Sequence, residues 1–159
     1  MAGLSREEIN YYQLLKTLEE PTVVQKCGSK GRGLFTCVDL EKDDYIIEYV
    51  GEEYLQRDSI YKSRGYKHDY FQPIKNNMIL DAQMVGNNGR YANHSCTPNS
   101  SVVRVQIKQS GVYVAFIAAR KKIKRAEEIT MDYKWYKSTT EAINLSECLC
   151  GSPNCRGFM

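Results

Sequence analysis

Three cysteines crowd into the last twelve residues, Cys148-Leu-Cys150-Gly-Ser-Pro-Asn-Cys155-Arg-Gly-Phe-Met159, and a fourth, Cys96, sits in the middle of the chain. Cys-x-Cys-x4-Cys supplies three thiolates, one short of the four that a closed tetrahedral zinc site takes. Cys96 is the natural fourth ligand, and a metal held by all four ties the tail to a central loop. Such a long-range closure constrains the fold more than any local pattern does. The alternative use of six cysteines is three disulfides in a secreted domain. The first twenty residues, however, lack an apolar core of signal-peptide length, and no stretch elsewhere is apolar enough to span a membrane. Asn-x-Ser/Thr sequons begin at Asn93, Asn99 and Asn144 and accept glycans only in a secreted chain. Reduced cysteines in an intracellular chain favour metal, so zinc on Cys96, Cys148, Cys150 and Cys155 is the expectation. Cys27 and Cys37 fit no metal spacing and are expected as small buried apolar residues.

A chain of 159 residues makes one domain with room for a core. Its 22 basic and 19 acidic residues leave a formal charge of +3, too weak to argue for nucleic-acid binding by itself. The run Arg120-Lys-Lys-Ile-Lys-Arg125 reads as a solvated turn after an apolar strand at 112–119. A weak DNA-phosphate contact or import signal is its lesser alternative. Residues 1–20 read as a helix: Ser5 followed by Glu8 is a capping box, and Ile9, Tyr12, Leu15 and Leu18 form a stripe that stops at Pro21. Beyond it the signals are β, with short apolar runs at 23–24, 45–50, 78–80, 101–107 and 112–119, and turns at 87–89 and 109–111. A short helix is expected within 52–68. The fold class is therefore mainly β with minor helix, built of small sheets, which argues against a Rossmann-type cofactor site.

Lys30-Gly-Arg-Gly-Leu34 precedes a strand, whereas a dinucleotide or P-loop fingerprint requires a following helix. Glycine at 31 and 33 allows positive φ or a close backbone approach, although such a pair is commonly just a tight turn. Asn93-His94-Ser95 and the strand-like Glu128-Ile-Thr-Met-Asp-Tyr133 are ordinary in isolation. Their order and combination with the terminal cysteines are not.

In that order the chain resembles the SET-domain protein lysine methyltransferases with a post-SET zinc motif. The matching segments are Lys30-Gly-Arg-Gly-Leu34, Glu48-Tyr-Val-Gly-Glu52, Asp81-Ala82, Gly86-Asn87, Arg90-Tyr-Ala-Asn-His-Ser-Cys-Thr-Pro-Asn99, Glu127-Glu-Ile-Thr-Met-Asp-Tyr133 and the tail from Cys148 to Phe158. The resemblance covers about residue 22 to the end and implies a SET domain at 22–137 and a zinc-bound post-SET tail at 138–159, with the helical segment at 1–21 outside it. It implies small sheets around a pseudoknot, in which the Asn-His-Ser-Cys strand threads under the Asp-Tyr segment.

It further implies S-adenosylmethionine as cofactor, held by Lys30, Gly31, Arg32, Gly33, Tyr70, Asn93 and His94, with Leu149 and Phe158 over the adenine. Tyr133 is the implied catalytic residue, and Tyr70, Met131, Tyr133 and Trp135 the implied channel for a substrate lysine. The implied partner is a histone tail or nucleosome, laid on as an added strand, in the nucleus, with the enzyme a monomer off the membrane. Departures from the family pattern are Asp69 with Tyr70 before Phe71, Met131 in place of an aromatic, and Ala126 in place of glycine. Met131 lacks a hydroxyl to restrict the tunnel, which points to di- or trimethylation. The competing readings are a non-histone protein substrate, a catalytically silent SET module, and a structural zinc scaffold. Intact Gly-x-Gly, Asn93, His94 and Tyr133 argue against the silent module.

Overall fold

The computed structural model describes residues 21–55, 71–75, 78–106, 113–133 and 147–159. The expected N-terminal helix, the turn at 109–111, Tyr70 and Trp135 lie outside the described residues.

Three small sheets carry the fold. The first has the order β1 (Thr22–Lys26), β2 (Arg32–Thr36), β10 (Glu128–Met131), β7 (Asn93–His94). The second places β9 (Tyr113–Ala119) between β3 (Tyr45–Glu48) and β8 (Ser100–Gln106). The third places β6 (Met78–Asp81) between β4 (Glu52–Leu55) and β5 (Phe71–Lys75). Among the described residues every strand pairing is antiparallel except β7 with β10, where Asn93 faces Thr130 and His94 faces Met131. This is the mainly β architecture of small sheets that the sequence implies.

Burial explains the register. Ala115 to Ala119 of β9 are all buried, the continuous apolar run of a strand covered on both faces. Ile117, Ala115 and Ala119 join Leu34, Ile46, Ile47, Leu80, Ile123, Ile129 and Met131 in one core. Each strand is too short to stand alone, so the shared core holds the sheets together.

Of the span 52–68 in which a short helix is expected, 56–68 lies outside the described residues; Glu52–Leu55 is a strand, paired residue for residue with Met78–Asp81. The buried Ile79 and Leu80 of β6 hold it as a sheet neighbour. One sequence expectation needs correction. Cys27 and Cys37 are not buried: Cys37 is exposed in the bend after β2, and the half-buried Cys27 uses its thiol as a donor to Glu128.

The basic run is a solvated turn, as expected. Ile123 points inward and bridges Leu40, while its neighbours stay exposed and Lys122 and Lys124 pair with Glu41 and Asp39. Ala126 in the following turn has φ of 66°, a left-handed conformation that favours glycine.

Candidate functional site

β7 sits where the sheets meet the tail. Asn99, three residues after Cys96, fastens this segment with its side chain: Nδ2 donates to the Glu128 carbonyl at 2.7 Å and Oδ1 accepts from Thr130 N–H at 2.9 Å. The amide thus imitates a peptide unit and extends the pairing on β10. Ser100 Oγ adds a bond to the Thr130 carbonyl at 2.7 Å.

Asn93 and His94 are thereby set beside Tyr133. His94 Nδ1 accepts the Tyr133 backbone N–H at 3.2 Å, and the two rings meet edge to face with centroids 5.4 Å apart. With Nδ1 accepting, the ring proton belongs on Nε2, which lies 3.4 Å from Cys96 Sγ and donates to it. Burial holds the imidazole pKa below its usual range, against the pull of the Asp132 carboxylate 3.7 Å away. A neutral, fully engaged His94 therefore positions Tyr133 and Cys96. The Tyr133 hydroxyl donates to the Ala92 carbonyl at 3.0 Å.

A cleft of about 170 Å³ opens on this arrangement, lined by Ser29, Lys30, Asn93, His94, Tyr133, Leu149, Cys150 and Met159. That is below the roughly 300–1,000 Å³ that encloses a whole ligand, so it suits one end of a larger molecule. Leu149, 46% exposed, offers apolar surface for the rest. Of the residues expected at a cofactor, Lys30, Asn93, His94 and Leu149 line the cleft with Tyr133. Gly31, Arg32, Gly33 and Phe158 do not. Gly31 makes the turn into β2 with φ of 83°, and Arg32 stacks over Tyr91 with its guanidinium 5.7 Å from the ring centroid. Phe158 bridges to Glu147 within the tail. Met131 is a core residue behind Tyr133, 7% exposed. Ser29 and Met159 are cleft residues that sequence reasoning passed over, since neither type carries a chemical signature.

Beside the cleft the sulfurs of Cys96, Cys148, Cys150 and Cys155 gather within 4.8 Å of one another. Sulfurs about 2.3 Å from a tetrahedral zinc stand about 3.8 Å apart, and Cys96 Sγ lies 3.7 Å from Cys148 Sγ. The donor set and spacing fit a structural zinc ion. Backbone amides already point at the sulfurs, Arg156 N–H to Cys96 and Gly157 N–H to Cys155, each at 3.3 Å. Burial pushes the Cys148 thiol up to about 12. Partial burial raises Cys150 as well, yet amide donors from Cys96 and Ser152 outweigh it and draw the thiol down to about 6. Held as thiolates, the four sulfurs would need a cation among them.

Two further contacts dock the tail. Arg156 grips Asp132 through two bonds of 3.1 and 2.9 Å, one residue before Tyr133. Thr97 and Ser152 hydroxyls meet at 2.8 Å. Sequence alone marked neither pair.

A fold of small sheets with one parallel pairing at Asn93–His94, a tyrosine beside it and a three-cysteine tail gathered on Cys96 defines a recognisable class. Residues 31–134 match the SET domain, and the chain belongs to that family. It is 40% identical over 136 residues to the Mycosarcoma maydis protein named histone-lysine N-methyltransferase, H3 lysine-36 specific, covering 82% of this chain and 13% of that protein. It is 35% identical over 137 residues to histone-lysine N-methyltransferase ASHH2 of Arabidopsis thaliana, covering 83% of this chain and 8% of the relative. A Neurospora crassa protein named histone-lysine N-methyltransferase, H3 lysine-4 specific, is 33% identical over 153 residues, covering 93% of this chain and 11% of the relative. The chain thus spans only about a tenth of the length of these relatives. SET methyltransferases use S-adenosylmethionine.

Proposed function

We propose that the chain is an S-adenosylmethionine-dependent methyltransferase acting on the side-chain amine of a lysine in a histone tail. The observation that carries this reading is the convergence of Asn93, His94 and Tyr133 on one cleft whose wall is the cysteine-bound tail. The relatives' names support histone H3 as substrate and divide between lysine 36 and lysine 4. The SET body at 22–137 and the tail at 138–159 act as one unit, clamped by zinc on Cys96, Cys148, Cys150 and Cys155. Chromatin in the nucleus is the place of action, with Arg120, Lys121 and Arg125 as a weak DNA contact.

Lys30, Asn93 and Leu149 hold the cofactor, and Tyr133 is the catalytic residue. The bound cofactor supplies an electrophilic methyl on a sulfonium. Tyr133 has its proton committed to Ala92, so its oxygen presents lone pairs to the cleft. An incoming amine donates N–H to that oxygen and turns its own lone pair toward the methyl donor. The amine must be uncharged, whereas free lysine is protonated at neutral pH. Desolvation in a closed channel favours the neutral form. Positioning in that channel supplies most of the acceleration. Met131 brings no hydroxyl behind Tyr133, which favours di- or trimethylation.

Incubation with labelled S-adenosylmethionine and separated core histones, followed by sequencing of the labelled peptide, tests the proposal. Label on a lysine of a histone tail is the expected result. Cofactor binding without label on any histone would refute the substrate class, and absent cofactor binding would refute the activity.

A further inference from the structure

Glu128 does not line the cleft, yet three donors from two distant parts of the chain converge on its carboxylate. Lys30 Nζ bonds Oε2, while Asn93 Nδ2 and Cys27 Sγ reach Oε1 at 2.8 and 3.1 Å. Lys30 and Asn93 do line the cleft. Asn93 Nδ2 also donates to the Arg32 carbonyl at 2.9 Å. A carboxylate and a carbonyl are both pure acceptors, so the NH₂ of Asn93 must face them and Oδ1 must face the other way.

The backbone makes room for this contact. A methyl group on Gly33 would stand 2.9 Å from Glu128 Oε1 and 3.1 Å from Asn93 Nδ2. Glycine at 33 is therefore explained by two protein side chains that must approach each other across β2, with no ligand invoked. Two independent features, the donor pattern and the glycine, preserve one orientation of one amide.

We propose that Glu128 is a positioning residue for cofactor binding: it fixes the Asn93 amide so that Oδ1 accepts from the cofactor's ammonium group. This rests on the cleft being the S-adenosylmethionine site. Glu128 also pairs with Lys30, so the cleft does not offer a bare cation where a sulfonium must enter.

Calorimetry with S-adenosylhomocysteine and with its analogue lacking the amino group separates positioning from mere support. In the unmodified chain, loss of the amine should weaken binding about tenfold, the order of one charge-assisted hydrogen bond. In Glu128→Gln that ratio should shrink to about twofold, because a neutral amide that can present either its oxygen or its NH₂ no longer fixes which end of the Asn93 amide faces the ligand, while the analogue binds as before. Equal weakening of both ligands, or an unchanged ratio, would overturn the inference while leaving the cofactor site standing. An unmodified chain that binds neither ligand would instead remove the cofactor reading, and this inference with it. A second measurement needs no variant: both Asn93 side-chain amide protons of the ligand-free chain should exchange slowly with solvent. Exchange at the rate of a free asparagine would overturn the proposal.

Discussion

Replacing Asn99 with alanine tests how β7 is held against β10. Asn99 is 4% exposed, and its amide serves the Glu128 carbonyl at 2.7 Å and the Thr130 N–H at 2.9 Å. Alanine removes both partners and leaves two backbone groups unmet. Each such group costs about 1–3 kcal/mol when fully buried. Glu128 and Thr130 are only half-buried, so some water reaches them and the sum falls to about 2–4 kcal/mol. Total stabilities run at about 5–15 kcal/mol, so this is a large fraction. At about 2–4 °C per kcal/mol for a chain of this size, Tm should fall by roughly 4–16 °C. Urea unfolding should show a lower midpoint at unchanged slope. Asn99→Asp sharpens the test. It keeps the acceptor but places a carboxylate oxygen against the Glu128 carbonyl and against Glu127 Oε1, which Nδ2 meets at 3.2 Å. The aspartate variant should therefore be less stable than alanine. Alanine within about 0.5 kcal/mol of the parent, or aspartate equal to asparagine, would refute the reasoning.

Cys96→Ser should lower zinc below one ion per chain and weaken S-adenosylmethionine binding together, since one sulfur stands two residues from His94; elemental analysis and calorimetry check both, and full zinc with normal binding would refute the ligand set. Tyr133→Phe should cut the rate of methyl transfer by at least about a hundredfold with cofactor affinity within a few-fold, as expected for a contact made in the transition state. Ala126→Gly should stabilise the chain by about 1 kcal/mol in chemical denaturation, because φ of 66° strains a side chain that carries Cβ. The Glu128 cluster should make stability depend on acid. Burial raises the Glu128 pKa, but bonds from Lys30, Asn93 and Cys27 outweigh it and leave the carboxyl below its usual value. The contribution is then present above the ordinary glutamate pKa of about 4.3 and lost as pH falls through the folded value. The stability difference between the parent and Glu128→Gln should accordingly be full at about pH 6 and shrink below about pH 4.

The cysteine set was readable because thiols at that spacing have few uses, and a partner upstream was required to complete the four. Asn93, His94 and Tyr133 were found through their order along the chain and the family it resembles. Glu128, Asn99, Asp132 and Arg156 stand within the same motifs, yet nothing local in the sequence points to what they hold. Their work is done across long separations, such as the 98 residues between Lys30 and Glu128, and no local period encodes such a contact. Cys27 shows the converse error, since its buried-apolar expectation ignored a carboxylate that only folding brings to it. The strand at Glu52–Leu55 was equally hidden, since it is set by its pairing with Met78–Asp81 and not by a local pattern.

That the cleft takes Leu149, Cys150 and Met159 as part of its wall has a consequence for synthesis on the ribosome. All ten strands among the described residues have been made by Met131, with the tail still to come. At roughly 5–20 residues per second, Met159 follows Met131 by roughly 1–6 seconds. During that interval the nascent chain has only part of its cleft lining. Closure of the cleft is therefore a late event, gated by emergence of Leu149, Cys150 and Met159, and a chain cut short before Cys148 lacks the wall that closes it.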